Sequence, residues 1–161
     1  MQEALKFWDK AAPNYAKSPI SDMDSYEYTL GRTKTYLKEN DHALEVGCGT
    51  GSTALLLSGS VAHITASDLS GNMIASAKSK ALEQSISNVS FVASDVFGDS
   101  IGQGTYDVVL ALNLIHLIED TSATMKRLSE LVEPGGYFIS KTVCKPGKGT
   151  PFKFRLILLA L

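Results

Sequence analysis

The chain reads as an α/β protein built on a doubly wound parallel sheet, and three observations predict it. Short apolar runs at 42–46, 61–67, 88–94, 106–112 and 137–143 alternate with stretches of helical spacing, the pattern of parallel strands joined by crossover helices. The first run ends in three alternate glycines, Gly47, Gly49 and Gly51, which suits a buried strand turning sharply into a helix. Glycine alone tolerates both positive φ and a ligand pressed against its backbone. An acid, Asp68, then closes the second run about 20 residues further on, where nucleoside-binding α/β folds place the carboxylate that takes ribose hydroxyls.

At 161 residues the chain is one domain's worth, enough to bury a sizeable core. With 44% hydrophobic and 20% charged residues and a net charge of -2, it carries no electrostatic footprint for nucleic acid. Cys48 in the glycine loop and Cys144 in a late strand make neither a metal spacing nor a disulfide framework, so both read as reduced thiols of a cytoplasmic protein. No apolar run approaches the roughly 20 residues that a membrane span needs.

In chain order, residues 4–12 form a short amphipathic helix that Pro13 breaks, leading through Tyr15 into a turn at Ser18-Pro19. Ser21, with Asp24 three residues on, opens a second helix that carries Met23, Tyr26, Leu30, Thr33 and Leu37 until Asn40-Asp41. His42–Val46 is the first strand and residues 52–58 the helix after the glycine turn. Strand two covers 61–67 and delivers Asp68; strand three covers 88–94 and delivers Asp95-Val96. After a turn-rich loop at 98–104, Tyr106–Leu112 is the fourth strand, with Val108-Val109-Leu110 fully apolar as a buried parallel strand requires. Met125, Leu128, Leu131 and Val132 mark a last helix that stops at Glu133-Pro134-Gly135-Gly136, and 137–143 is strand five.

The loop's spacing bears on its ligand. A dinucleotide fingerprint needs Gly-x-Gly-x-x-Gly, but Ser52 holds the third glycine's place, and the lysine of a triphosphate-binding loop is missing. Glu45, two residues before the first glycine, would repel a pyrophosphate and attract a cationic adenosyl ligand.

Leu44-Glu45-Val46-Gly47-Cys48-Gly49-Thr50-Gly51 resembles the first motif of the class I S-adenosylmethionine-dependent methyltransferases, an acid followed by Gly-x-Gly-x-Gly. Asp68-Leu69-Ser70-Gly71-Asn72-Met73 is similar to the family's second motif, Asp95-Val96 to its third, and Asn113-Leu114-Ile115-His116 to the segment after strand four. Trp8-Asp9-Lys10-Ala11-Ala12-Pro13-Asn14-Tyr15 resembles the segment that closes over the cofactor in many small-molecule members. The resemblance runs from about residue 7 to 142. It implies a Rossmann-like sheet of strand order 3-2-1-4-5, with S-adenosylmethionine beyond the carboxyl ends of strands one and four. It further implies a cofactor site of Tyr15, Glu45, Gly47, Cys48, Gly49, Gly51, Asp68, Leu69, Met73, Asp95, Val96 and Asn113. In that site Asp68 grips the ribose, Asp95 and the Val96 backbone read the adenine, and Asn113 lines the methionyl end. Trp8 and Met73 read equally well as ordinary core residues.

The implied acceptor is a small molecule of quinone-like or other apolar type. Methyl transfer needs alignment above all, and neither a metal nor a covalent nucleophile. The histidines His42, His63 and His116 lie far apart without ligand companions. No catalytic residue is assigned; His116 is the single histidine near the active mouth, and a surface or packing role is the preferred reading of it. The organisation expected is a helical lid at 1–40, a cofactor-binding core at 42–143, and the start of a C-terminal extension at 144–161. Because the family continues into an antiparallel strand pair, that pair reads as missing. Strand five then becomes a bare apolar edge, residues 156–161 an unfinished helix, and the chain a truncated one. Two rivals remain open: a non-catalytic S-adenosylmethionine-binding module and a nicotinamide oxidoreductase.

Overall fold

A computed structural model of the chain describes residues 2–102 and 104–143, together with the backbone of Arg155–Leu159. Five parallel strands form the sheet: β1 (His42–Val46), β2 (His63–Asp68), β3 (Val89–Ala93), β4 (Tyr106–Leu112) and β5 (Val132–Thr142). A sixth, β6 (Arg155–Leu159), runs antiparallel beside β5, giving the order β3-β2-β1-β4-β5-β6. The chain steps outward from β1 to β3 and returns across β1 to start β4. The strand order therefore reverses between β1 and β4, where α/β sheets open a crevice at their carboxyl ends.

The side-chain period of two sends alternate residues to opposite faces. Ala43, Ile64, Ala66, Phe91, Val108 and Leu110 pack on one face with Leu55 and Leu57 of α3 (Ser52–Leu57) and Ile74 and Ala77 of α4 (Gly71–Glu83). Leu44, Val46, Val109, Ala111 and Phe138 pack on the other with Leu128 of α5 (Thr121–Glu130). Covered on both faces, β4 has the continuous apolar run, 108–112, that a buried parallel strand needs, while β1 interrupts its own at Glu45.

Four elements depart from the sequence reading. Helix α1 spans Gln2–Tyr15 and contains Pro13. Proline removes the N–H that would bond the carbonyl four residues back, that of Asp9. That carbonyl accepts instead from Asn72 Nδ2 at 3.0 Å, so the helix passes the proline without an orphaned acceptor. Helix α2 (Met23–Lys34) starts one residue after Asp22, whose Oδ1 caps the Ser25 N–H at 3.0 Å, and it ends well before Asn40. Glu133-Pro134-Gly135-Gly136 lies inside β5 rather than before it: Tyr106 pairs with Val132 and Val108 with Tyr137, so the tetrapeptide forms a bulge. At its end a Cβ on Gly136 would stand 2.6 Å from the Asp107 carbonyl, so only glycine fits there.

The fourth departure is at the sheet edge. Strand five is not bare, because Phe138–Thr142 pairs with Leu159–Arg155, and the run expected to be an unfinished helix is a strand. A segment of five residues is short for a helix and usual for a strand, and an unpaired β5 offered a ready template. One antiparallel strand of the kind expected to be missing is thus present. Cys144 and the other residues of 144–154, with 160–161, lie outside the described residues. Among those described, no helix is long and apolar enough to cross a membrane.

Candidate functional site

A cavity of about 720 Å³ opens at the switch point between β1 and β4. Its floor is the loop after β1, which the backbone itself secures: the Cys48 N–H donates to the Ser67 carbonyl and the Gly51 N–H to the Cys48 carbonyl, both at 2.9 Å. The three glycines have positive φ but separate reasons for lacking a side chain. A Cβ on Gly47 would come within 2.7 Å of Leu114, and one on Gly51 within 2.7 Å of Ala77 and Phe91. A Cβ on Gly49 would meet only Tyr15, at 3.7 Å, because it points into the cavity. Behind the loop, Lys80 of α4 donates to Thr50 Oγ1 at 2.8 Å and Ser52 Oγ at 3.1 Å, and burial lowers its pKa.

Three acids face the cavity from successive strand ends. Glu45 is 3% exposed, and its Oε2 has no hydrogen-bond partner among the described residues. Burial pushes its carboxyl up to about 8, against the Ala54 N–H that lowers it and with the Asp68 charge that raises it further. Asp68 Oδ2 accepts from the Gly49 N–H and Oδ1 from the Ser70 N–H, each at 2.9 Å. Its pKa is raised chiefly by burial, which these two bonds oppose. Asp95, after β3, turns its Oδ1 onto the Phe97 N–H at 2.9 Å.

Opposite stand residues of helices α1 and α2 and the far wall. Trp8 and Tyr15 of α1 pack edge to face at 6.3 Å between centroids and both line the cavity. On α2, the Tyr26 hydroxyl pairs with Thr53 Oγ1 at 3.2 Å, and Ser25 Oγ accepts from Lys141 Nζ of β5 at 3.2 Å. Desolvation raises the Tyr26 pKa, with a smaller push from Glu45. Asn113, just past β4, holds φ +59, in the left-handed region that asparagine adopts more readily than most residues with a side chain.

The cavity wall collects Tyr15, Glu45, Gly47, Cys48, Gly49, Asp68, Leu69, Met73, Asp95, Val96 and Asn113. Gly51 stands behind it, where its role is helix-to-strand packing. Cys48 is a free, buried thiol whose pKa burial raises. His116 is not in the wall; its Nδ1 lies 3.4 Å from Thr142 Oγ1 on the exposed side of a short turn. Sequence reasoning passed over Lys80, Tyr26, Thr53 and Lys141, which reach the cavity from distant elements. Only the helical phase of Tyr26 hinted at a sheet-facing position.

These residues fit an adenosyl cofactor. A buried carboxyl with one oxygen free of partners suits a cation, the open direction at Gly49 suits a ligand against bare backbone, and Asp68 keeps lone pairs beyond the two its amides use. Fold and site together define a class I nucleoside-cofactor protein of the Rossmann-like kind. Comparison with known proteins is more specific: the methyltransferase-domain family matches residues 43–136, more than half of the chain, and the chain belongs to that family. Members of that family use S-adenosylmethionine as their cofactor.

Phosphoethanolamine N-methyltransferase 1 of Triticum aestivum is 30% identical over 119 residues, which cover 73% of this chain and 24% of that protein. A ubiquinone biosynthesis O-methyltransferase of Burkholderia vietnamiensis is 25% identical over 149 residues, covering 87% of this chain and 59% of that one. The DhpI-SAM-HEP complex is 27% identical with a TM-score of 0.73, covering 89% of this chain and 66% of that one. The [4+2]-cyclase SpnF shares the fold at a TM-score of 0.80 and 20% identity, covering 98% of this chain and 68% of that one. The chain thus spans about a quarter of the Triticum protein and well under two thirds of the Burkholderia one.

Proposed function

We propose that the chain transfers a methyl group from S-adenosylmethionine to a small, partly apolar acceptor, a quinone-like phenol being the preferred type, in a reducing cytoplasm. The observation that carries the reading is one cavity that gathers Glu45, Gly49, Asp68, Asp95 and Asn113 from four successive strand ends. The buried, unpaired Cys48 thiol favours the reducing compartment. When bound, the cofactor supplies a methyl carbon already activated by positive sulfur.

The chain's own part is alignment. Asp68, its two oxygens aimed by the Gly49 and Ser70 amides, takes the ribose hydroxyls, and Asp95 with the Val96 backbone takes the adenine. Met73 and Leu69 pack beside the nucleoside, while Asn113 and the Gly47-Cys48-Gly49 backbone line the methionyl end. Glu45 supplies negative charge where the cationic ligand lies. Trp8 and Tyr15 close the lid, their ring faces favouring a sulfonium. Beyond the methyl, the acceptor meets Ile20, Leu30, Leu117 and Ile118, with the Tyr26 hydroxyl as its polar anchor.

The SpnF likeness favours one second reading, because a closely similar fold carries a different reaction there. In that reading the chain binds the cofactor without transferring its methyl group. Incubation with methyl-labelled cofactor and a panel of phenolic acceptors separates the two. Label in a product supports transfer; a thermal shift with S-adenosylmethionine but no labelled product supports the binding module. A shift with NAD alone would sink both.

A further inference from the structure

Helix α1 is tied to the start of α4 through one residue, Asp9. Asp9 follows Trp8 on α1, and its Oδ1 accepts from Ser70 Oγ at 2.6 Å and from the Asn72 N–H at 3.2 Å. Asn72 Nδ2 returns a bond to the Asp9 carbonyl at 3.0 Å, the carbonyl that Pro13 leaves without a helical donor. Three hydrogen bonds thus join one turn of α1 to the start of α4, across more than sixty residues of sequence.

The partners of this clasp belong to the cofactor cradle. Ser70 is the N-cap of α4: its Oγ accepts from the Met73 N–H at 3.1 Å, and its own N–H donates to Asp68 Oδ1. Asp68 Oδ2 in turn holds the Gly49 N–H. An unbroken run of hydrogen bonds therefore leads from Asp9 through Ser70 and Asp68 to the glycine loop, with Trp8 and Tyr15 over the same cavity. Tyr15 is the side chain nearest to the open direction at Gly49, so a ligand lying on that backbone lies under the lid.

We propose that Asp9 is a positioning residue that clasps the lid helix α1 to Ser70 and Asn72, and that opening this clasp governs the exchange of the adenosyl cofactor. The inference rests on the reading above that the cavity under α1 is the cofactor's. Both clasp acceptors are oxygen atoms on one residue, so the clasp asks for an acceptor at Asp9 Oδ1 and not for its charge. Pro13 contributes by keeping the Asp9 carbonyl available to Asn72.

The test measures release of tritiated S-adenosylhomocysteine from the full chain after a chase with unlabelled compound. Emission of Trp8, the chain's single tryptophan, gives an independent report on lid docking. Asp9→Ala is expected to speed release about tenfold and to shift Trp8 emission to the red, while Asp9→Asn, which keeps the acceptor, stays within about threefold of the parent. Asn72→Ala falls between them and decides the matter if Asp9→Ala does not fold. Unchanged release and emission in Asp9→Ala, or equal acceleration by Asn and Ala, would overturn the clasp. Asp68→Ala serves as the control. If it loses affinity while Asp9→Ala and Asn72→Ala change nothing, the clasp alone is wrong; if it keeps full affinity, the cofactor lies elsewhere and both readings fall.

Discussion

The floor and the lid of the cavity are built by different means. The floor is held chiefly through its own backbone amides: those of Cys48 and Gly51 close on the Ser67 and Cys48 carbonyls and that of Gly49 on the Asp68 carboxylate, with Lys80 bracing Thr50 and Ser52 from behind. The lid is held by side chains that find partners on another element, Asp9 on Ser70 and Asn72 and, on α2, Tyr26 on Thr53. Backbone bonds depend on which residues permit the turn, so the floor tolerates change only where glycine is not required. Side-chain bonds are individually replaceable and can open without dismantling the sheet, which suits the part that must let a ligand pass.

The largest effect should come from breaking the floor at Gly51. Valine there meets Ala77 Cβ and the Phe91 ring at 2.7 Å and must also hold φ +75. Overpacking and left-handed strain together are expected to cost about 3 kcal/mol or more, read as a lowered thermal melt. Gly49→Val sharpens the contrast. Its Cβ meets nothing nearer than Tyr15 at 3.7 Å, so the cost is chiefly the strain of φ +54, about 1–2 kcal/mol, and the sheet persists while cofactor binding is lost. Equal melts for the two variants, or unchanged calorimetric affinity in Gly49→Val, would erase the distinction between packing glycine and cradle glycine.

Next in size is Asp68, where floor and lid meet. Two hydrogen bonds from ribose hydroxyls to a carboxylate, at about 1.5 kcal/mol or more each, make Asp68→Ala roughly a hundredfold weaker for cofactor. Asp68→Asn is expected to be no milder, because both oxygens face backbone N–H donors and the amide must set its own NH2 against one of them. The ribose is remote from the transferring methyl, so saturating cofactor should restore most of the turnover. A saturated rate that stays low would place Asp68 in the methyl-transfer step.

The floor was legible in the sequence for the same reason that it is rigid. Strands β1 and β4 fall at the residues their apolar runs mark, and the order β3-β2-β1-β4-β5 is the one the family resemblance implies. Gly47, Gly49 and Asp68 announce themselves because a turn with positive φ and an acid at a strand end leave few residue choices. What sequence spacing could not supply was pairing at a distance. Pro13 reads as a helix stop until Asn72 is seen to accept the task of the missing N–H, and Lys80 carries no loop signal until α4 brings it to Thr50 and Ser52. Glu133-Pro134-Gly135-Gly136 reads as a helix stop in sequence because Pro-Gly-Gly serves either purpose, and only the approach of the Asp107 carbonyl decides for a bulge. The last apolar run carried no period, so only the open edge of β5 settles it as a strand.

The smallest effect, and the most specific to the floor, is the pH dependence that Glu45 imposes. Burial holds its carboxyl at about 8 in the ligand-free fold, whereas an exposed glutamate loses its proton near 4.5. Between those values the folded state keeps a proton that the unfolded chain has already released. Stability therefore falls as pH rises through this window, the opposite of a salt-bridged acid. The fall is steepest between about pH 5.5 and pH 7, at on the order of 1 kcal/mol per pH unit, and fades above pH 8 as the folded state releases its proton too. Glu45→Gln removes the titrating group and keeps an uncharged side chain of the same shape, so its melting curve should be flatter over that range. S-adenosylmethionine should flatten the parent's curve as well, because a nearby cation favours the carboxylate and draws its pKa down. Calorimetry in buffers of different ionisation enthalpy should then show a proton released on binding at neutral pH by the parent, and less release by Glu45→Gln. Identical proton release from the two chains would mean that Glu45 stays neutral with the cofactor bound and that the cation lies beyond its reach.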